Sequence, residues 1–356
     1  MNVDRRGFLT GAASAAALAT AESLASAGTA RAQPAPATTV AKLPFPEGDS
    51  LRILVTGDAG TGARPQWAVA DAARALHARE PFSCALGLGD NVYEQGPWAD
   101  DDAQFNAKFE DPNRGLDFPW IMVQGNHDNS SVLPGDGGWL LRGDHEVAFH
   151  ARSERWWMPA RYYSVPIGSL VEFFVLDLNP IAAYLPPLFE PYWAADGQFM
   201  TEQAAWLDGA LAASTAKWKI VCTHHPYLSN GSHGNAGAYE GLNIAPINGI
   251  HVKEFFEAHV LGRAQFLLSG HDHCLQVLEP TPACKGTRQL VSGAAAKTNS
   301  GAHATDARGI TPALFENFTD LGFMVLELTA SSADLTVHTV DPSNGQSTNA
   351  FQRRLA

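Results

Sequence analysis

The chain has 356 residues, enough for one large domain or two ordinary ones, and its 17% charged and 45% hydrophobic residues are typical of a globular protein. This composition argues against a disordered chain and against a bundle of membrane helices. With 37 acidic and 24 basic residues the formal net charge is −13, which disfavours nucleic-acid backbones and anionic lipids as partners because they bind basic surface.

Residues 1–32 are predicted to be a signal peptide of the twin-arginine kind. The pair Arg5-Arg6 precedes an Ala/Gly-rich stretch at residues 11–19, and Ala30-Arg31-Ala32 offers small residues around a cleavage point. The apolar part is shorter than the ~20 residues that span a bilayer, so no stable membrane anchor is expected. We expect recognition by the twin-arginine export machinery and a periplasmic or secreted protein; the alternative is an Ala-rich helix of the mature fold.

Residues 33–48 are predicted to be a proline-rich tether, because Gln33–Pro46 contains four prolines among several Ala and Thr residues. The folded domain is expected over residues 49–356. Its apolar runs alternate with helical patterns through both halves, with an added antiparallel component and no repeat of 20–50 residues. We therefore predict a layered α/β domain built on two packed sheets.

In the first half of this domain, three short apolar runs of strand length each lead to a polar residue. Two helices are predicted between them from apolar residues at helical spacing. Residues 130–157 are rich in Gly, Trp and charge, so we expect an irregular loop at the rim. The strands are predicted at Leu51–Thr56, Phe82–Leu88 and Trp120–Gln124, and the helices at Gln66–Glu80 and Asp101–Glu110.

The second half is predicted to begin with a hairpin through Gly168-Ser169. A proline-rich aromatic loop, Pro180–Phe199, is expected to follow. Helices and single strands then alternate, and the C-terminal part is a pair of β-strands. The hairpin strands are Arg161–Pro166 and Leu170–Leu178, the helices Thr201–Leu211 and His251–Val260, the single strands Lys217–Thr223 and Gln265–Ser269, and the final pair Gly322–Thr329 and Ala333–Val340.

Five strand ends carry Asp, Asn or His beside Gly or another small residue. A single histidine at a strand end is usually structural, but five such ends make coincidence improbable. Oxygen and imidazole ligands that converge from several strands suit hard cations. We interpret the loop Gly89-Asp90-Asn91-Val92-Tyr93 as the centre of a two-metal phosphate-ester hydrolase. The strand-end candidates are Asp58, Asp90, Asn126, His224, His271 and His273.

Over about residues 50–340 these motifs resemble, in order, those of the calcineurin-like metallophosphoesterases. That superfamily has Asp-x-His in its first motif and Gly-Asp-x-x-Asp in its second. Here Gly60 replaces the histidine, which would leave one metal a ligand short, and Tyr93 replaces the second aspartate. This paired change is similar to the purple acid phosphatase branch, in which the phenolate binds iron(III) and gives the protein its colour.

Within that branch, the chain looks more like the small, mammalian tartrate-resistant type than the large plant type. The short, close-set motifs Asn126-His127-Asp128 and Gly270-His271-Asp272-His273 resemble that group, and no N-terminal β-domain is expected. The resemblance implies the metallophosphoesterase fold, a four-layer α-β-β-α sandwich of two mixed sheets.

The resemblance also implies two metal sites that share one ligand. Asp90 would bridge cations about 3.5–4 Å apart. A phenolate and carboxylates favour Fe(III) in the first site, while the second could take Fe(II), Zn(II) or Mn(II). For Tyr93, core packing or a hydrogen-bonding phenol are the alternatives. The first site would be formed by Asp58, Asp90, Tyr93 and His273, and the second by Asp90, Asn126, His224 and His271.

By the same resemblance, the reaction is hydrolysis of small phosphate esters by a metal-bound hydroxide. His127 and His233 match positions that face substrate in the family, and are candidates to hold the phosphate and protonate the leaving alkoxide. His233 lies in the glycine-rich loop Asn230–Gly237, where simple solvent exposure is the alternative. The side chain of His225 is expected to point away from the site and to be structural.

Three functions remain open from the sequence. The leading one is an exported acid phosphatase that hydrolyses phosphate monoesters. A phosphodiesterase or nucleotide hydrolase with the same metals is the nearest alternative, because rim loops rather than ligands choose between mono- and diesters. A non-catalytic periplasmic protein that binds phosphate or metal is the alternative of another class, and the intact ligand set together with His127 argues against it.

The four cysteines do not have a zinc-binding spacing. Cys84 and Cys222 lie in predicted core strands and are expected to be buried thiols. Cys274 and Cys284 are either two thiols or a disulfide, which the periplasm would permit.

Overall fold

Two seven-stranded mixed sheets share one core in this computed structural model, which describes residues 40–182, 191–299 and 310–356. The predicted signal peptide and the first part of the predicted tether lie outside the described residues. In the remainder of the tether, two backbone N–H groups donate to the folded domain. That of Val40 donates to the carbonyl of Ala151 at 3.0 Å, and that of Leu43 donates to the carbonyl of Glu154 at 3.1 Å. The boundary between the signal peptide and the tether stays a prediction.

The described residues form 14 strands and six α-helical segments, numbered here in chain order. The strands are β1 (Ser50–Thr56), β2 (Cys84–Gly87), β3 (Trp120–Met122), β4 (Trp156–Trp157), β5 (Tyr163–Ile167), β6 (Val171–Val175), β7 (Trp218–Cys222), β8 (Phe266–Ser269), β9 (Leu275–Leu278), β10 (Arg288–Ser292), β11 (Ala313–Asn317), β12 (Leu321–Thr329), β13 (Ala333–Asp341) and β14 (Gln346–Arg354).

The helices begin and end as follows. They are α1 (Arg64–His77), α2 (Ala103–Phe105, continued by a π-helical turn at Asn106–Glu110), α3 (Gly143–Phe149), α4 (Asn179–Ala182), α5 (Gln198–Ala213) and α6 (Ile250–His259), with short 3-10 turns at Leu140–Arg142, Pro191–Trp193, Tyr239–Gly241 and Pro282–Cys284. None of these described helices combines the length and apolar character needed to cross a bilayer.

Each sheet combines parallel and antiparallel strand pairs. The first sheet has the order β14-β13-β12-β1-β2-β3-β4, in which β1 to β4 are parallel neighbours. The second has the order β11-β9-β10-β8-β7-β6-β5, with β6, β7, β8 and β10 parallel. Because parallel strands end at the same edge of a sheet, the loops after β1, β2, β3, β7 and β8 collect at two such edges.

The second sheet is buried on both faces, as side-chain alternation along its strands shows. Phe173 packs in the core shared with the first sheet, whereas its neighbour Phe174 packs in the core under α5 and α6. Helix α1 packs its Ala and Leu face into the first core. Helices therefore flank two packed sheets, which confirms the predicted four-layer α-β-β-α architecture.

The prediction of an irregular rim loop at residues 130–157 holds for residues 130–139 and is wrong for the remainder. This segment contains α3 and β4, and the side chains of Phe149 and Trp156 are buried. Phe149 stacks on Phe105 with ring centroids 3.9 Å apart, and Trp156 packs edge-on against Phe109 at 4.9 Å. Its aromatic residues follow no regular period, because they fill one cluster from several short turns rather than one face of a helix.

The aromatic loop predicted at Pro180–Phe199 also contains helix. α4 ends inside it and α5 begins at Gln198, three residues before the predicted start; residues 183–190 lie outside the described part. The sequence analysis missed β9, β10, β11 and β14. β14 is an edge strand whose side chains are mostly exposed, so it lacks the apolar alternation by which strands are recognised.

The four cysteines are all buried free thiols, which decides the open question at Cys274 and Cys284 in favour of two thiols. The expectation for Cys84 and Cys222 is confirmed, since both are fully buried in β2 and β7.

One core histidine predicts how the fold responds to acid. His338 on β13 is 8% exposed, stacks on Phe323 with ring centroids 5.0 Å apart, and has no hydrogen-bond partner at Nδ1 among the described residues. Burial lowers its pKa from 6.5 to about 4. Its neutral form thus contributes stability above pH ~6.5 that is lost as the pH falls towards 4.

The variant His338→Phe keeps the ring stack and removes the titrating group. We expect its melting temperature to fall less steeply than that of the natural chain between pH 7 and 4, measured by circular dichroism. His251→Gln, on the accessible surface of α6, is the control and should follow the natural curve. Parallel curves for His338→Phe and the natural chain would contradict this assignment.

Candidate metal centre

The predicted site residues come together where the two sheets present the ends of their parallel strands. Asp58 follows β1 and Asp90 follows β2 in the first sheet, and His224 follows β7 in the second. All three side chains are at most 1% exposed. The remaining members lie after β2, β3 and β8, and they are Tyr93, Asn126, His271 and His273.

The first group of donors surrounds Asp58. The phenol of Tyr93 lies 3.0 Å from Asp58 Oδ1 and 3.0 Å from Nε2 of His273. Asp58, Asp90 and His273 each offer one ligand atom, and these atoms all lie within 4.8 Å of one another. Two carboxylates, an imidazole and a phenol in this arrangement could hold a hard cation.

The second group of donors faces Asp90 from the other side. Asn126 Oδ1 lies 2.9 Å from Nε2 of His224 and 3.0 Å from Nδ1 of His271, and those two ring nitrogens are 3.2 Å apart. His224 Nε2 is also 3.4 Å from Asp90 Oδ1. Its Nδ1 donates to the carbonyl of Leu88 at 2.8 Å, which directs Nε2 into the site. Asp90 is therefore common to both groups.

The backbone at these residues adopts a conformation that ordinary side chains avoid. Five described residues other than glycine have positive φ, and three of them are Asp58, Asp90 and His271, at 58°, 54° and 68°. Each such residue costs about 1 kcal/mol or more. The surrounding fold sustains this cost at three predicted ligands, which is typical of a functional site.

Close backbone contacts explain the glycines of the motifs. A Cβ on Gly60 would lie 1.9 Å from the carbonyl oxygen of Asn91, so no histidine fits at this position. A Cβ on Gly125 would lie 2.2 Å from Asp90. The Asp58 loop therefore packs directly on the Asp90 loop, and the Tyr93 phenol extends into the first donor group instead.

Burial shifts the pKa values of the acidic groups in the site, and a bound cation would change these shifts. Burial raises the pKa of Asp58 well above its usual range, with a further contribution from Asp90. Burial, together with Asp58 and Asp90, also raises the pKa of Tyr93. Burial acts to raise the pKa of Asp90 too, but the imidazoles of His224 and His127 outweigh it and lower that pKa. A bound cation would reverse the first two shifts, so this donor set fits a metal.

His127 lies beside the first donor group and is 5% exposed. Its ring packs on that of Tyr93 with centroids 4.4 Å apart, and its Nδ1 donates to the carbonyl of Glu94 at 2.7 Å. Its backbone N–H donates to Asp90 Oδ1 at 2.9 Å. The structure therefore places His127 against both a predicted ligand and the shared carboxylate.

His233 lies beside the second donor group, not in open solvent. It is 6% exposed, its ring centroid is 4.2 Å from that of His271, and its Nδ1 is hydrogen-bonded to the carboxylate of Glu240. His225 also packs against His271, with ring centroids 4.5 Å apart. The expectation that His225 points away from the site is wrong, because both His224 and His225 pack against the ring of His271.

The sequence analysis missed a buried carboxyl pair beneath the first sheet's loops. Asp128 is fully buried and accepts the backbone N–H groups of Asn91, Val92 and Gly125 at 2.7 to 3.1 Å. Burial and Asp90 raise its pKa to about 7. Burial and Asp128 raise the pKa of Glu146 well above its usual range, and Oε2 of Glu146 accepts a side-chain N–H of Asn91 at 3.0 Å.

Asp272 accepts backbone hydrogen bonds in the loops of the second sheet, as Asp128 does in those of the first. It is fully buried, and its carboxylate accepts the backbone N–H of His233 at 2.8 Å and that of Gly234 at 3.4 Å. Asp128 and Asp272 each adjoin predicted site residues in the sequence. That adjacency, an extra acidic residue within a ligand motif, is the signal by which they could have been found.

Lys297 is a further residue without a sequence signal. Its Nζ lies 3.5 Å from the centroid of the Tyr93 ring and 2.9 Å from Oε1 of Glu94. In a chain of net charge −13, this cation supplies local positive charge at the edge of the site.

Comparisons with known proteins agree with this geometry. The family model described as calcineurin-like phosphoesterase matches residues 51–275. Purple acid phosphatase 4 of Arabidopsis thaliana is 30% identical over 315 residues, which cover 85% of this chain and 84% of that relative. Tartrate-resistant acid phosphatase type 5 of Rattus norvegicus is 28% identical over 219 residues, which cover 59% of each.

A solved structure of similar fold is that of the purple acid phosphatase PPD1 from yellow lupin (Lupinus luteus) seeds. It superposes with a TM-score of 0.56 at 17% identity, over 87% of this chain and 54% of that one. At this identity the similarity supports the two-sheet fold alone.

The contacts of Asp128 predict an effect on metal binding. Asp128→Asn keeps the shape but replaces one of the two oxygens that accept backbone N–H groups under Asp90 with an NH2 group that cannot accept, so we expect about 10- to 100-fold weaker metal binding. Isothermal titration of the metal-free protein with Zn(II) measures this. Asp320→Asn, an exposed replacement, is the control. Unchanged affinity in a variant with the natural circular dichroism spectrum would contradict the proposed role of Asp128.

Proposed function

Because the chain belongs to the calcineurin-like phosphoesterase family, with purple acid phosphatases among its homologues, we propose that it is an exported acid phosphatase acting on phosphate monoesters. As a member of this family it is a phosphoric-ester hydrolase. The observation that supports the finer proposal is the pair of donor groups that meet at Asp90, one with the Tyr93 phenol and one with two imidazoles.

The proposal includes a dinuclear metal centre of the kind that these homologues imply. Asp58, Asp90, Tyr93 and His273 would hold the first metal, proposed to be Fe(III) because phenolate and carboxylates are hard donors. Asn126, His224 and His271 would hold the second with Asp90, proposed to be Fe(II), Zn(II) or Mn(II). When bound, such metals lower the pKa of water and neutralise charge on phosphoryl oxygens.

The residues around the metals hold the substrate. His127 packs on Tyr93 of the first donor group, and His233 packs on His271 of the second. The hydrogen bonds of their Nδ1 atoms to Glu94 and Glu240 fix both rings. We assign them to bind phosphoryl oxygens and to pass a proton to the leaving alkoxide.

Export and location are part of the proposal as well. They are supported by Arg5-Arg6 and by the small residues at positions 30–32, all of which lie outside the described residues. The twin-arginine route carries folded proteins, which suits an enzyme that takes up its metals before export.

Two hydrolysis assays test the function. We expect the metal-loaded protein to hydrolyse p-nitrophenyl phosphate faster than bis(p-nitrophenyl) phosphate, and Asp90→Asn to lose both metals and at least about 100-fold in kcat/KM. Asp71→Asn, on the exposed side of α1, is the matched control. A preference for the diester would favour the phosphodiesterase alternative, and full turnover by Asp90→Asn would remove Asp90 from the centre.

The Tyr93 assignment has a spectroscopic test. Tyr93→Phe removes only the phenolic oxygen, so the iron-loaded variant should lose its visible absorption while keeping the circular dichroism spectrum of the natural chain. Tyr162→Phe, which packs between Phe199 and Trp206 beside α5, should keep the colour. Colour retained in Tyr93→Phe would refute a bound phenolate at this position.

A further inference from the structure

The 3-10 turn just before α3 contains an unusual buried cation, Arg142. The side chain of Arg142 is fully buried, and no described residue, within 40–182, 191–299 and 310–356, accepts a hydrogen bond from its guanidinium. The nearby carboxylate of Asp136 is engaged by the backbone N–H groups of residues 131, 132, 133 and 138 instead. Burying an unpaired guanidinium is costly, so its position requires an explanation.

Two tryptophans enclose this cation. The guanidinium carbon of Arg142 lies 3.8 Å from the ring centroid of Trp98 and 4.6 Å from that of Trp139. Cation–π attraction is strongest where water is excluded, as it is here. Both indoles still reach the solvent, since Trp98 is 59% and Trp139 37% exposed.

The loops that carry these residues meet over His127. We call residues 94–102 and 130–142 the rim loops. From the first loop, the carbonyl of Glu94 accepts the Nδ1–H of His127 at 2.7 Å. From the second, Gly135 is packed so closely that an added Cβ would lie 2.6 Å from Nε2 of His127. The two loops that carry the tryptophan pair therefore both contact the proposed proton donor.

The rim loops also hold most of the exposed apolar surface of the described chain. Of the seven large apolar side chains exposed in its described residues, four lie on these two loops: Trp98, Val132, Trp139 and Leu141. A concentration of exposed apolar side chains beside a polar catalytic centre is typical of a ligand-binding surface.

We propose that Trp98 and Trp139, held by Arg142, form a subsite that binds a planar aromatic leaving group of the phosphate ester. Stacking on an exposed indole binds a ring well only if the indole is already fixed in place. The buried guanidinium between the two rings does this, and the backbone N–H of Trp98 is tied to Asp102 at 2.8 Å. This inference rests on the proposed function, because the loops that carry the subsite contact His127, which that proposal assigns to bind the phosphate.

Binding of two phosphonates, which the enzyme does not hydrolyse, tests the subsite apart from turnover. Benzylphosphonate carries an aromatic ring and ethylphosphonate does not, and titration calorimetry on the metal-loaded protein gives both dissociation constants. For Trp98→Ala we expect benzylphosphonate to bind about three- to tenfold more weakly and ethylphosphonate to bind as before. Trp98→Phe retains an aromatic ring and should recover most of the loss.

The control is Trp67→Ala, which removes an exposed tryptophan from α1, outside the rim loops. It should bind both phosphonates like the natural chain. Equal weakening of both ligands in Trp98→Ala, or no change in either, would overturn the subsite. A natural chain that prefers benzylphosphonate but hydrolyses neither p-nitrophenyl phosphate nor glycerol 2-phosphate would keep the subsite and refute the proposed function.

Discussion

The packing of the two sheets has to bring Asp90 of the first within a few ångströms of His224 of the second. The carboxylate and the imidazole are 3.4 Å apart and both are buried. Burial alone would raise the pKa of this carboxyl, but its interactions with His224 and His127 lower it. The core between the sheets therefore sets the distance on which the proposed chemistry depends.

On each side of the centre, a buried carboxylate stabilises the loops by accepting backbone hydrogen bonds. Asp128 in the first sheet's loops and Asp272 in the second sheet's loops are fully buried, and each accepts backbone N–H groups from a neighbouring loop. The bonds from Asn91 and Val92 to Asp128 hold the residues directly after Asp90, and so help to sustain the positive φ angle at Asp90. Ligand position is thus a property of loop-to-loop contacts.

Local pattern and tertiary packing account for different parts of the fold. The apolar runs of β1 and β8 are continuous because both strands are central in their sheets and buried, so the apolar pattern was sufficient to find them. The segment 130–157 has no comparable apolar pattern. In this segment Arg142 packs against two indoles, and Trp156 packs among three phenylalanine rings. These contacts join turns that are far apart in the sequence, so a local sequence pattern does not reveal them.

The sequence by itself determined the set of metal-ligand candidates and the alternation of strands and helices, because strand ends, glycines and chemically distinctive side chains are local features. Only the tertiary structure showed that His233 and His225 both pack against His271 and that Arg142 lies between Trp98 and Trp139. Such contacts depend on how loops from separate strands fold over one another, and the direction in which a loop turns is set by packing rather than by its own residues.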